Sequence, residues 1–164
     1  MLIGVEGLGK MALSRLAIHI CQYQIRELKF TAEFSRDDWQ ALIKAMFEST
    51  AIDKRVNVLN ICDNQIADDI IMVDLNCLLK NGDLPDLLHA SEKSGFLERI
   101  RSTMPQSKLG GTAPPDSSVY TEMINRSKKN FKSIINLTPT GKTLKKELKN
   151  YQSIVNCSTI IWMD

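Results

Sequence analysis

Seven residues near the start of the chain limit what it can fold into. Gly4-Val5-Glu6-Gly7-Leu8-Gly9-Lys10 has the spacing G-x-x-x-x-G-K. In a loop of that spacing, backbone N–H groups turn inward around phosphate oxygens. Leu2-Ile3 enters it as a strand would, and a helical pattern from Met11 to Gln24 leaves it. The helix points its positive end at the same anion, and Lys10 adds a point charge for β- and γ-phosphates. The next position calls for Ser or Thr, whose hydroxyl ligates Mg²⁺. Met11 stands there, and a thioether does not ligate a hard cation. The competing reading is a glycine-rich turn that only joins a strand to a helix.

The rest of the chain alternates strand and helix patterns. Leu13, Leu16, Ala17, Ile20 and Cys21 recur at helical spacing and predict one buried stripe. Ile25 to Phe30 suits a short strand. Ser35 caps a helix that carries Asp37 and Asp38 in its first turn and Trp39, Leu42, Ile43, Met46 and Phe47 on one face. Arg55 to Cys62 is a mostly apolar strand that runs into Asp63. Ligands of a parallel sheet bind at the carboxyl ends of its strands, so Asp63 is a candidate Walker B carboxylate for Mg²⁺, held through water. Its bland alternative is a helix cap. Ala67 to Lys80 reads as a helix stopped by Asn81-Gly82, and Ser91 to Thr103 as a charged helix. Gln106 to Ser118, with Gly110-Gly111 and Pro114-Pro115, reads as a mobile loop. Val119 to Asn130 is a helix, Phe131 to Leu137 a strand, Gly141 to Asn150 a helix and Ile154 to Met163 a last strand. This order predicts an α/β sandwich on a parallel sheet of about five strands.

Composition removes several function classes. Lys plus Arg is 21 and Asp plus Glu is 19 among 164 residues, a balance that argues against electrostatic nucleic-acid binding. No run approaches the length of a membrane helix, and nothing resembles a signal peptide. Cys21, Cys62, Cys77 and Cys157 form no C-x-x-C pair and read as small buried hydrophobes in a reducing compartment. His19 lies beside the apolar stripe with no second ligand near it, and reads as a core-edge residue. Trp39 and Trp162 suit packing positions. Lys142, Lys145, Lys146 and Lys149 share one helix face, which reads as solvated.

Four blocks carry a resemblance. Gly4-Val5-Glu6-Gly7-Leu8-Gly9-Lys10 with Leu13-Ser14-Arg15-Leu16-Ala17 is similar to G-V-G-G-S-G-K-Q-S-L-S-R-L-A. Asp63-Asn64-Gln65-Ile66 is similar to D-T-Q-I, and Leu75 to Leu87 to I-N-N-L-L-N-S-G-E-V-P-N-L. Ser153-Ile154-Val155-Asn156-Cys157-Ser158-Thr159-Ile160-Ile161-Trp162 is similar to S-L-V-N-C-C-T-I-D-W. In order and along the whole chain, these resemble the fourth AAA+ module of an axonemal dynein heavy chain.

The resemblance implies a P-loop AAA+ three-layer sandwich with strand order 5-1-4-3-2. It implies that residues 1–164 are one large α/β subdomain, without its helical lid, from a longer heavy chain. It implies a regulatory module that binds ATP or ADP in a six-module ring driving minus-end-directed movement on microtubules. The partners implied are neighbouring modules of the same chain, dynein intermediate and light chains, and microtubules, with neither nucleic acid nor membrane. The location implied is the cytoplasm and cytoskeleton, in particular a ciliary or flagellar axoneme. The nucleotide site falls on Gly4, Val5, Glu6, Gly7, Leu8, Gly9, Lys10 and Met11. Asp63 and Asn64 correspond to Walker B, and Thr138 to the polar sensor-1 residue. The departures are Met11 (Gln in the family) and Asn64 where many AAA+ proteins carry a water-activating Glu. Lys145 and Lys149 fall in the arginine-finger region, with Glu147 between them. Lysine keeps the charge but lacks the planar fork. The expected module therefore binds nucleotide with little or no Mg²⁺ and does not hydrolyse it alone. The second class is a degenerate module that keeps the fold for interaction only.

Overall fold

The computed structural model describes residues 1–28, 35–66, 69–84, 87–104, 114–139 and 148–163. The described strands are β1 (Leu2–Ile3), β2 (Gln24–Glu27), β3 (Asn57–Cys62), β4 (Phe131–Leu137) and β5 (Ile161–Trp162). Around them lie α1 (Lys10–Ile20), α2 (Arg36–Phe47), α3 (Asp69–Asn81), α4 (Ala90–Ser102), α5 (Asp116–Asn130) and α6 (Gln152–Asn156). At least one helix separates each strand from the next in sequence, the connection a parallel pair needs. All four pairings are parallel, in the order β5-β1-β4-β3-β2, as expected. The two-residue β1 sits between β4 and β5.

Strand alternation separates the two faces of the sheet. Ile3, Leu59, Ile61, Ile135 and Leu137 point to one face and join a continuous core with Trp39, Ile43 and Met46 of α2, Leu75 and Leu78 of α3, and Val119 and Met123 of α5. Leu2, Val58 and Ile18 are buried outside that core, on the face covered by α1. Ser35 caps α2 as expected, its hydroxyl accepting the Asp38 N–H while Asp38 accepts the Ser35 N–H. After α2, the π-helical turn Glu48–Ile52 is held by α5: Asn130 donates to the Thr50 carbonyl at 2.9 Å and Arg126 to that of Ala51 at 3.1 Å.

Several expectations need correction. The α1 stripe faces solvent: Leu13, Leu16 and Ile20 are 46%, 56% and 71% exposed, and Ala17 and Cys21 are exposed too. Lys10, Ser14 and Ile18 are buried instead. The sheet beneath presents Asn60 and Asn136, fully buried amides that need partners, and α1 turns Ser14 toward them. The last segment is not one strand. Residues 152–156 are helical, with Ile154 in the core and the Ser153 N–H on Asn76 of α3, so β5 is confined to Ile161–Trp162. Packing on α3 overrides the β-propensity of the run. Trp39 is buried, but Trp162 is exposed. Asp116 to Ser118 open α5 rather than closing a loop. None of the four cysteines is fully buried, and His19 is exposed. Phe30, Ala67, residues 106–113 of the expected loop, and Lys142, Lys145 and Lys146 lie outside the described residues.

Candidate functional site

The loop after β1 is fixed at its base. Gly4 donates its N–H to the Leu137 carbonyl at 3.1 Å. A Cβ on Gly4 would lie 2.8 Å from the Met163 carbonyl oxygen, so a side chain has no room there. Gly7 (φ 87°) and Gly9 (φ 73°) are left-handed, with open space where a Cβ would project. Their requirement is conformational rather than steric crowding. Gly9 precedes α1 and brings no side-chain acceptor to its first N–H groups, which every helix start must satisfy from elsewhere. Val5, Glu6, Gly7 and Gly9 are exposed, and Leu8 is half-buried. Lys10 is buried, and its ammonium donates to the carbonyls of Gly4 at 2.6 Å and Val5 at 2.9 Å.

Asp63 follows β3 and reaches across to the end of β4. Its Oδ2 accepts the Thr138 backbone N–H at 2.8 Å, and its Oδ1 accepts the Asn64 N–H at 2.9 Å. Burial alone would raise the Asp63 pKa, but hydrogen bonds from the Thr138 hydroxyl, Asn64 and Cys62 outweigh it and hold the carboxyl below its usual range. Burial, then the charge of Asp63, pushes the neighbouring Cys62 thiol up. Asn64 is exposed and Thr138 buried.

Met11 faces a polar cluster that sequence reasoning missed. Its sulfur accepts from Asn136 Nδ2 at 3.1 Å. That amide also donates to Asn60 Oδ1 at 2.9 Å and to the Ile61 carbonyl at 3.2 Å. The Ser14 hydroxyl lies 3.1 Å from Asn136 Oδ1 and 2.8 Å from the Lys10 carbonyl. Asn60 donates to Glu27 at 2.8 Å, and Arg15 clamps Glu27 with two 2.9 Å contacts. The Arg15 hydrogen bond chiefly lowers the Glu27 pKa. A signal was available, since Asn60 and Asn136 each stand between two apolar residues of a strand, and a buried polar residue is the informative exception.

The donor set at Met11 does not suit Mg²⁺: a thioether and an amide, with both Asp63 oxygens already accepting. No group of three or more His, Cys, Asp or Glu among the described residues could hold a metal ion. The backbone of Gly4 to Lys10 does suit a phosphate, through two left-handed glycines, a helix start and a buried cation.

The family model for the P-loop containing dynein motor region D4 matches residues 1–164. The chain belongs to this family. Dynein axonemal heavy chain 2 of Mus musculus is 26% identical over 99% of this chain, and that of Homo sapiens 27% over 99%. Dynein axonemal heavy chain 1 of Homo sapiens is 27% identical over 100% of it. This chain spans 4% of the length of each of these relatives.

Within this dynein D4 chain the fold brings Lys10, Met11, Asp63, Asn64 and Thr138 to the carboxyl ends of β1, β3 and β4. Lys149 is exposed near the start of α6. Lys145 lies outside the described residues. No described helix is long and apolar enough to cross a membrane.

Proposed function

We propose that residues 1–164 form the large α/β part of a nucleotide-binding module in a dynein motor ring, with ATP or ADP phosphates seated on Gly4 to Met11. The observation that carries this reading is the loop itself: Gly7 and Gly9 are left-handed, α1 begins without a side-chain cap, and Lys10 is buried at the base. The loop N–H groups would hold the β-phosphate, and Lys10 would exchange its carbonyl acceptors for phosphate oxygens. Asp63 and Thr138 would face the γ-phosphate side. Met11 supports binding with little dependence on Mg²⁺, and the exposed Asn64 supports regulation rather than hydrolysis. Family membership supports assembly with neighbouring modules of a heavy chain, and the axonemal relatives support a ciliary or flagellar location and a role in movement on microtubules.

A second reading keeps the fold without the ligand. It is favoured by the Lys10 ammonium already holding two carbonyls. Titration of fluorescent ADP and ATP into wild type and Lys10→Ala, each with Mg²⁺ and with chelator, separates the two. The expected outcome is binding that falls at least tenfold in Lys10→Ala, the scale of about 1.5–3 kcal/mol for a hydrogen bond to a charged group. Chelation should change the affinity little. Equal affinity of both proteins would sink the nucleotide reading and leave the second one standing.

A further inference from the structure

One side chain in the loop from Gly4 to Met11 has the wrong sign for an anion site. Glu6 puts a carboxylate where backbone N–H groups suit phosphate oxygens. It is exposed, and its side chain makes no hydrogen bond or ion pair with a described residue. Nothing in the packing of the loop calls for an acid at this position.

Its place in the loop sets which end of a bound polyphosphate it would meet. The Lys10 ammonium donates at 2.9 Å to the Val5 carbonyl. That carbonyl belongs to the peptide unit whose nitrogen is that of Glu6. In a loop of this spacing the lysine serves the β- and γ-phosphates, while N–H groups of the backbone cradle the α- and β-phosphates. On the nucleotide reading above, Glu6 therefore stands at the γ end, which a triphosphate fills and a diphosphate leaves free.

A second carboxylate serves the same end. Asp63 reaches from β3 to the Thr138 N–H at the end of β4. Burial raises its pKa, but hydrogen bonds from Thr138, Asn64 and Cys62 prevail and keep it charged. Against these two acids the sequence from Gly4 to Met11 offers one cation, Lys10. The thioether of Met11 and the amide of Asn136 are poor ligands for a Mg²⁺ that would offset them. A diphosphate would meet Lys10 and the start of α1. A triphosphate would add one more negative charge beside both carboxylates, with no further cation to match it. Placing like charge against the unwanted ligand is one way a site rejects a close relative of its own.

We propose that this loop selects a nucleoside diphosphate over the triphosphate, with Glu6 as the residue that rejects the γ-phosphate. The proposal rests on the nucleotide-binding reading and narrows it to one charge state of the ligand. The selection is electrostatic, acts through the phosphate chain alone, and is independent of the base.

Fluorescent ADP and ATP are titrated into the full chain in the presence of chelator, for wild type, Glu6→Gln and Lys10→Ala. Wild type should bind ADP about fivefold more tightly than ATP, the scale of two unit charges about 4 Å apart in bulk water. Glu6→Gln should bring the two affinities to within about twofold, chiefly by tightening ATP. Inorganic diphosphate should compete better than inorganic triphosphate in wild type. Raising the salt from about 0.01 M to about 1 M shortens the Debye length from about 30 Å to about 3 Å and should shrink the wild-type preference. Equal wild-type affinities for ADP and ATP, a preference that survives Glu6→Gln unchanged, or one indifferent to salt would each overturn the proposal while leaving nucleotide binding in place. If neither nucleotide binds, or if Lys10→Ala binds both as wild type does, the nucleotide reading fails and the proposal fails with it.

Discussion

Ile3, Leu59, Ile61, Ile135 and Leu137 line one face of the sheet, while Asn60 and Asn136 sit among Leu2 and Val58 on the other. The first face is held by area. Its contacts are non-directional, and five of the described helices share the load. The second is held by a chain of directed hydrogen bonds from Met11 through Asn136 and Asn60 to Glu27 and Arg15. A single helix covers it, and that helix leaves its own leucines in solvent. One face tolerates loss in proportion to volume. The other depends on each partner being present, because a buried amide without one costs its full desolvation.

Substitutions at four positions test that contrast. Ile61→Ala in the apolar face should cost about 3 kcal/mol, the range for a large-to-small change in a core, read as a lower urea midpoint at unchanged slope. A loss below about 1 kcal/mol would break the comparison, since the apolar face would then not be the main support. Asn136→Ala should cost about 2 kcal/mol by leaving the buried Asn60 Oδ1 without its donor. Combining Asn136→Leu with Asn60→Leu should cost less than the sum of the single changes, which simple additivity would refute. Leu16→Ala should change stability by no more than about 0.5 kcal/mol, as for an ordinary surface site. A larger loss would restore the buried stripe that periodicity suggests.

The apolar face was legible in the sequence because periodicity reports burial directly. Trp39, Ile43 and Met46 on α2 and the β3 run came through, as did the strand order implied by the family resemblance. The turn of the loop at Gly7 and Gly9 was legible because glycine spacing encodes a backbone shape. The α1 face was not, because Ser14 turns inward to Asn136, 122 positions away, and no local pattern carries that. The end of the chain was misread for a related reason. Ile154 and Val155 have strand propensity, but a position against α3 decides their conformation.

The place of β1 has a consequence for the order of folding. Strands β2, β3 and β4 can assemble among themselves, whereas β1 must close between β4 and β5, both of which come from much later in the sequence. Loop closure over such separations is entropically slow. Since Gly4 continues β1 directly, the loop from Gly4 to Lys10 takes its shape only when that closure is complete. In refolding followed by pulse-labelled hydrogen exchange, the Leu59 amide should gain protection before those of Ile3 and Gly4. Simultaneous protection would mean that the middle strand is part of the nucleus. On the expected order, the loop is the last of the described elements to mature, and a folding intermediate with most of its helices in place would still lack the loop's backbone shape.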